Sequence, residues 1–390
     1  MTGSLASDNT LYMTLTNELP AFLNQSLLQC KNLPSLPSVA LRVLEVARSS
    51  RSTLNDYVKA IEHDPALTLR LIAFANSAYY AQASSSAQTC LDAVQRLGLD
   101  ATLAVILGFS LFQHATEAPY HNRTWQRAIT AALIARYLAE QECPEQSGSA
   151  FTTALLQDIG ILALQSVYPD EAKTLYAESP LSEPHAGLSR PDLLKDAFHT
   201  EPPYAESPHA ELVRAEQRYF GCDHALVGAW LAAKWGVPDN IVNAIHQSHE
   251  SFLLNDKLLL CIRLSGPIAD AWLSRNPASQ LAALLYQLKT VSYTYALRIN
   301  EVLHNVQKQT DIIANALNMT APVKVDSTTL LADAHQLLFQ HTLTLSSQLE
   351  DQKQALVSLR CPDVNQKEHS LRDASLHIHR SGLISKPKNR

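Results

Sequence analysis

One carboxylate lies in the middle of an apolar run, where it could ligate a metal ion. The run extends from Ala154 to Gly160 and contains the pair Gln157-Asp158. Divalent metal sites in proteins are built mainly from imidazole, carboxylate and thiolate groups, and a neutral glutamine is a poor ligand. Asp158 could still bind a metal, so the pair raises the question of whether the chain retains metal-dependent chemistry.

Histidines further along the chain could supply imidazole ligands. His246 and His249 are three residues apart, so they share a helix face and could hold one ion or form a hydrogen-bonded pair. His224 follows Asp223 at a predicted helix start, where it is expected to help cap or pack the helix. Glu250 adds a carboxylate beside His249.

The bulk composition is that of a globular protein with room for two domains. The chain has 390 residues, of which 46% are hydrophobic and 17% charged, and its formal net charge is −6. No concentrated basic face is evident, so a nucleic-acid partner is not expected. Residues 351–390 contain eight Lys/Arg and four Asp/Glu, a balance of +4 that leaves −10 for the rest. A solvated, disordered tail is favoured over a segment that contacts an acidic partner or a membrane.

The spacing of the cysteines and the length of the apolar runs indicate the cellular compartment. The six cysteines form no CxxC pair, which argues against a zinc knuckle or a redox motif. The first residues lack the basic patch and apolar run of a signal peptide. The longest apolar runs are about half the length that spans a bilayer. We therefore expect a cytoplasmic protein with reduced thiols and no membrane insertion.

Helical periodicity extends along the chain, and no segment alternates convincingly between polar and apolar residues, so we predict an all-α protein. One continuous helix is expected over Ala150–Val167, with a cap at Ser149. Two long helices are expected over 281–318 and 327–357. The predicted parts are an N-terminal leader (1–27), a multi-helix domain (28–275), a helical extension (276–357) and a basic tail (358–390).

Leucines in the second of these long helices suggest two alternatives for the extension. Leu331, Leu338 and Leu345 repeat every seven residues, but the positions between them are poor coiled-coil residues. A helical hairpin that packs on the main domain is favoured. A partner-binding helix or a dimer seam is the alternative.

Three motifs occur in one order along the first two thirds of the chain, and together they carry a family resemblance. They are Leu33–Ala40 (LPSLPSVA), Ile61–Leu67 (IEHDPAL) leading into Leu71–Tyr80 (LIAFANSAYY), and Asp223–Leu231 (DHALVGAWL) followed by Trp235–Pro238 (WGVP). With these motifs the chain resembles the HD-related output domain family, HDOD, over about residues 28 to 275.

The resemblance implies an all-helical, non-catalytic module related to HD phosphohydrolases. Such modules occur in bacterial signalling chains, often beside a diguanylate cyclase or another output domain, which points to cyclic-di-GMP signalling. HD enzymes place a metal-ligating histidine on one helix, a His-Asp pair on the next, and further histidine or aspartate ligands downstream. Arg127 and Gln157 stand at the first two positions here, and Asp158 remains. A permanent cation at Arg127 would repel a divalent ion.

From these residues we expect a ligand- or partner-binding cleft bordered by Arg127, Gln157, Asp158 and His224, with His249 beside it. No catalytic residue, metal ligand or cofactor is expected. An ion pair between Arg127 and Asp158 is the hypothesis for what replaces the metal.

The function predicted is that of a non-catalytic bacterial signalling regulator that binds other molecules through this module. Its expected partner is a signalling protein, such as a diguanylate cyclase or another output protein, with a small ligand and a homodimer through the C-terminal helices as further expectations. The alternative is a metal-dependent phosphohydrolase acting on a nucleotide or cyclic dinucleotide. In that case one metal would be held by Asp158 and nearby histidines.

Overall fold

The computed structural model describes residues 8–49, 51–76, 86–112, 119–177, 208–250, 256–274, 276–291, 298–308 and 326–360. Its regular elements are helices, with no strand in these ranges, so the predicted all-α class is confirmed. Much of the proline-rich segment 168–208, which contains seven prolines, and nearly all of the basic tail lie outside the described residues.

The helices vary in length from 8 to 34 residues. In chain order they are α1 (Asp8–Glu18), α2 (Ala21–Gln29), α3 (Ser38–Arg48), α4 (Leu54–Ile61), α5 (Pro65–Ala75), α6 (Cys90–Leu97), α7 (Leu99–Phe112), α8 (Pro119–Glu142), α9 (Ser147–Leu156), α10 (Ile159–Val167), α11 (Pro169–Ala177), α12 (Pro208–Phe220), α13 (His224–Trp235), α14 (Asp239–His246), α15 (Lys257–Leu273), α16 (Pro277–Val291) and α17 (Ser327–Arg360). Residues 298–308 are also helical.

The segment predicted as a leader is built into the fold where the structure describes it. The indole Nε1 of Trp230 donates to Thr16 Oγ1 at 3.1 Å, and the hydroxyl groups of Tyr168 and Ser26 are 3.0 Å apart. A leucine on α1, one in the connection and two on the same face of α2, four residues apart, are buried, which explains why α1 and α2 pack rather than remain solvated. The buried leucines are Leu15, Leu19, Leu23 and Leu27.

The predicted continuous helix over Ala150–Val167 is wrong in one respect that matters for the site. The chain forms α9 and α10 instead, with a break at Gln157 and Asp158. Asp158 has φ −101° and ψ 6°, outside the α-helical region, and the N–H of Ile161 donates to its carbonyl oxygen at 3.0 Å. Ser149 lies inside α9 and does not cap it. Asp158 therefore lies at a turn between two helices.

Helices α10 and α13 cross with their backbones in near contact. A Cβ atom built on Gly160 would overlap the carbonyl oxygen of His224 and would lie 2.7 Å from the amide nitrogen of Gly228. Helix α13 begins where Oδ1 of Asp223 accepts from the amides of the second and third residues that follow it, and it ends at Gly236, with φ 78°. This crossing places the start of α13 beside the turn that contains Asp158.

One helical stretch, Pro144–Val167, is long and apolar enough to cross a membrane by length and composition, among the residues searched. Most of it is buried inside the fold, as in the core helix of a globular domain. It includes the turn that carries the buried Asp158.

The chain divides into two compact units, Met1–Leu337 and Leu338–Arg390. This boundary lies within α17, whereas the sequence places one near residue 275. The predicted helix over 281–318 is described as α16 and the helical residues 298–308, and its remaining residues lie outside the described ranges. The second unit is described only as the part of α17 up to Arg360, three residues beyond the predicted end of that helix.

A buried ion-pair network and a histidine cluster form the candidate functional site

Arg127, on α8, is held between two carboxylates from other helices. Its Nε and Nη2 donate to the two oxygens of Asp270 on α15, at 2.7 and 3.1 Å, and its Nη1 donates to Asp158 Oδ2. All three residues are buried. Gly266 leaves space for the guanidinium, since a Cβ there would lie 2.9 Å from Nη2. The ion pair predicted between Arg127 and Asp158 is confirmed, with Asp270 as a second, bidentate partner.

His224, the first residue of α13, is fully buried and lies between Glu216 and Asp158. Its Nδ1 is 2.6 Å from Glu216 Oε2, the same oxygen that accepts from the His224 amide at 2.9 Å. The hydroxyl of Tyr176 donates to the other oxygen of Glu216 at 2.7 Å. On its opposite side, His224 Nε2 is 3.5 Å from Asp158 Oδ1, which is longer than a normal hydrogen bond.

Two more histidines, His209 and His249, lie beside His224. His249 Nδ1 is 3.0 Å from Asp223 Oδ2, and its Nε2 is 3.2 Å from His209 Nε2. The rings of His224 and His249 are 4.4 Å apart between centroids and nearly perpendicular, and His209 is 5.0 Å from each. One ring nitrogen from each of the three lies within 4.8 Å of the other two.

The electrostatics of the network follow from its burial and its charge pairs. Burial alone would raise the pKa of Asp158, but Arg127 and His224 outweigh it and lower that pKa to about 2. Burial disfavours the imidazolium of His224, yet Glu216 and Asp158 raise its pKa to about 10. The pKa of Arg127 is likewise raised, because its two carboxylates offset the cost of burial. Asp158 is thus an anion and His224 a cation at neutral pH.

The structure brings together the five residues singled out from the sequence, but it does not place them around an open cleft. Arg127, Gln157, Asp158 and His224 are buried, and the side chain of His249 is 14% exposed. The burial is tolerated because the charged groups are paired. Gln157 Nε2 has no hydrogen-bond partner within the described residues. That these residues bind a ligand or a partner stays a prediction.

Four residues of the network were missed by sequence reasoning. Asp270 is an ionisable group in a strongly apolar helix, and that isolation is a signal that it has a buried partner. His209 follows a proline-rich stretch that has no readable periodicity. The helix face predicted for His246 and His249 is wrong, because α14 ends at His246 and His249 lies in the turn that follows; His246 instead makes a partly exposed pair with Glu18 at 3.2 Å. The other two missed residues are Tyr176 and Glu216.

Comparison with known proteins agrees with the helical architecture. Two solved structures superpose on most of the chain. One is the protein named "Putative phosphohydrolase" from Shewanella amazonensis SB2B, with a TM-score of 0.53 and 22% identity over 75% of this chain and 98% of that one. The other is the protein named "Putative signal transduction protein" from Marinobacter aquaeolei VT8, with a TM-score of 0.52 and 20% identity over 80% of this chain and 66% of that one. At these identities the likeness is one of fold.

A curated relative, an uncharacterized protein of Treponema pallidum (strain Nichols), is 24% identical over 224 residues. The match covers 56% of this chain but only 38% of that relative. The HDOD domain family matches residues 33–186 and 191–251, more than half of the sequence. That match includes the turn at Asp158 and the residues that contribute His209, His224 and His249. The chain therefore belongs to the HDOD family.

Proposed function

We propose that this protein is a non-catalytic signal-transduction regulator that works by binding a partner protein. The observation that carries the proposal is the position of the Arg127 guanidinium, which satisfies one oxygen of Asp158 and both oxygens of Asp270. A metal ion in its place would need those carboxylates, and a divalent cation cannot share them with a permanent one at contact distance. The residues at the HD positions therefore do not fit a metal centre.

The names of the two similar solved structures imply different functions, one of which agrees with this proposal. One similar fold carries the name of a signal-transduction protein and another that of a phosphohydrolase. Gln157 favours the first reading, because it adds no metal ligand beside Asp158. Cytoplasmic residence and a role near cyclic dinucleotide signalling belong to the same proposal.

The wild-type protein should show no metal-dependent phosphohydrolase activity. Without a metal activating a water molecule, the buried network supplies no nucleophile. Release of nitrophenol from bis-p-nitrophenyl phosphate, and cleavage of a cyclic dinucleotide, should be followed with Mn²⁺ present. Wild type and Asp158→Asn should both stay at the background of enzyme-free buffer. Turnover by wild type that is lost in Asp158→Asn would establish the phosphohydrolase alternative.

Apolar side chains exposed on the second unit suggest where a partner docks. Leu349 and Leu356 are seven residues apart on α17, as are Leu338 and Leu345, and seven is the spacing of a helix–helix seam. A contiguous exposed apolar surface is typical of an interaction site. The most exposed large apolar side chains of this unit are Phe339, Leu343, Leu345, Leu349 and Leu356.

We expect this helix to associate with a second copy of itself. Analytical ultracentrifugation of the full chain should show a dimer, and Leu349→Glu with Leu356→Glu should weaken dimerisation by at least about tenfold, because two charges would be buried in the seam. The exposed neighbour Gln348→Glu is the matched control and should dimerise like wild type. A wild-type protein that sediments as a monomer at every concentration would rule out the homodimer and leave a different protein as the partner.

A further inference from the structure

His209 lies in the first turn of α12, and its ring packs against two other imidazoles. The ring centroids of His224 and His249 are both 5.0 Å from that of His209, at interplanar angles of 75° and 73°. His224, at the start of α13, is a cation at neutral pH, and the charge of Arg127 on α8 also acts on His209. The fold therefore holds a titratable ring beside two positive charges.

The hydrogen bonds of His249 determine where the protons of His209 lie. The carboxylate of Asp223 can only accept, so Nδ1 of His249 donates to it at 3.0 Å. A neutral His249 then has a lone pair on Nε2, and Nε2 of His209, 3.2 Å away, must be the donor between the two rings. Nδ1 of His209 is left with a lone pair and has no partner in the part of the chain that the structure describes. His209 can therefore take up one proton at Nδ1.

A proton on His209 would add a third positive charge to this group. Burial, together with the charges of Arg127 and His224, lowers the pKa of His209 well below its ordinary value of 6.5. Burial and His224 also lower the pKa of His249, although Asp223 opposes this shift. Both rings are therefore neutral at pH 7 while they remain packed on His224.

The carboxylates around the cluster do not pair with His209, because each is already bonded to another charged group within the described residues. A charge on His209 would consequently find repulsion from its neighbours and no counterion in contact. On α11, the hydroxyl of Tyr176 is likewise engaged, since it donates to the carboxylate on α12. These carboxylates are those of Asp158 at the turn before α10, Glu216 on α12, Asp223 before α13 and Asp270 on α15.

The charges nearest to the cluster stay constant in mild acid. The pKa of His224 is raised to about 10 and that of Asp158 is lowered to about 2, so neither group titrates between pH 7 and pH 5. A His209 ring that leaves the cluster for water regains an ordinary pKa of about 6.5. Below that pH the released ring binds a proton that the packed ring does not. Acid therefore favours release, by up to about tenfold per pH unit.

We propose that His209 is a pH-sensitive latch, which holds the first turn of α12 against the buried network at neutral pH and releases it in mild acid. Release removes the ring that packs on His224, so the charged network, which is closed at neutral pH, becomes accessible to solvent. The rest of α12 stays in place, because Leu212 is buried and Glu216 is bonded to Tyr176.

The test is amide hydrogen exchange of the full-length protein between about pH 7.5 and pH 5.5, with rates corrected for the intrinsic pH dependence of exchange. The amides of residues 212–215 report on the latch, because in a helix they donate to the carbonyl groups of residues 208–211. Their exchange in wild type should accelerate by up to about tenfold per pH unit below about pH 6.5. In His209→Gln, which has no titratable ring, it should not respond to pH. His246→Gln, which removes the ring paired with Glu18, is the matched control and should behave like wild type.

Two results would overturn the latch: wild-type exchange that does not depend on pH in this interval, or a response in His209→Gln equal to that of wild type. The second result would place the titrating group elsewhere in the protein. Circular dichroism at neutral pH checks that His209→Gln folds, and His209→Phe, which keeps a ring in the same space, is the second variant. The latch goes beyond the proposed function, and the absence or presence of phosphohydrolase activity does not decide it.

Discussion

Replacing Arg127 with methionine is expected to lower the free energy of unfolding by about 3–5 kcal/mol, the usual cost of stranding a buried charge. Methionine fills a similar space but leaves Asp158 and Asp270 facing each other without a cation. Both carboxylates are buried, so water cannot take over the role of the guanidinium. Chemical denaturation of wild type and variant, with a common slope, would measure the difference.

A matched control lies on the same helix. Arg136 makes an i, i+4 pair with Glu140 at 2.9 Å, with the glutamate side chain 37% exposed. Arg136→Met should cost clearly less than Arg127→Met, because an i, i+4 helix pair contributes only about 0.3–0.5 kcal/mol and its glutamate is in contact with water. Equal losses in the two variants would show that the stability lies in the α8 arginine side chains generally, and not in the buried network.

Neutralising the carboxylates should rescue the Arg127 variant. Asp158→Asn and Asp270→Asn, added to Arg127→Met, remove both stranded charges at nearly constant volume. We expect more than half of the lost stability to return, as is typical when a buried ionic cluster is replaced as a whole. A triple variant less stable than Arg127→Met would mean that the carboxylates have other partners that matter more.

The pH dependence of the free energy of unfolding tests the same ion pair independently. The pKa of Asp158 is lowered from 3.8 to about 2, so its contribution to stability is present above pH 3.8 and is lost as the pH falls towards 2. The difference between wild type and Arg127→Met should therefore narrow over that interval. A difference that widened on acidification would contradict the pairing.

Local signals predicted a good part of the fold. Asp223 and Gly236 mark the two ends of α13 because a cap acts through its own helix, and both residues are visible in the sequence. The helical class followed from periodicity in the same way. The break at Asp158 could not be predicted from periodicity, because the apolar residues on either side of it continue one helical pattern. At the break the Asp158 carboxylate contacts Arg127, which is distant in sequence.

The site was predicted only as far as a family motif extends. Arg127, Gln157 and Asp158 could be named because they stand at positions of the HD pattern. Asp270 is 143 residues from its partner Arg127, and no local rule links the two. His209 follows a segment without periodicity, so its approach to His249 depends on how the chain returns to the core. The sequence also did not predict that these residues are buried, because an open cleft and a closed network of ion pairs use the same residue types.

The crossing of α10 and α13 should be intolerant of a single added methyl group. Gly160→Ala would place a Cβ against the carbonyl oxygen of His224 and 2.7 Å from the Gly228 amide nitrogen, so two backbones must separate. We expect a loss of about 3 kcal/mol or more, at the upper end for overpacking, even though alanine is the better helix former. Gly228→Ala is the graded control: its Cβ would lie 3.2 Å from the Gly160 nitrogen, and it should cost about 1 kcal/mol.

The same substitution links the fold to the site. The backbone of His224 carries the carbonyl that Gly160 contacts and the amide that donates to Glu216, so moving it displaces the ring that faces Asp158. Gly160→Ala should therefore disturb the hydrogen bonds of His224 as well as the packing of the two helices, whereas Gly228→Ala should leave those hydrogen bonds in place. If Gly160→Ala were as stable as wild type in denaturant titrations, the close contact would be wrong. The start of α13 would then not be held against the turn at Asp158.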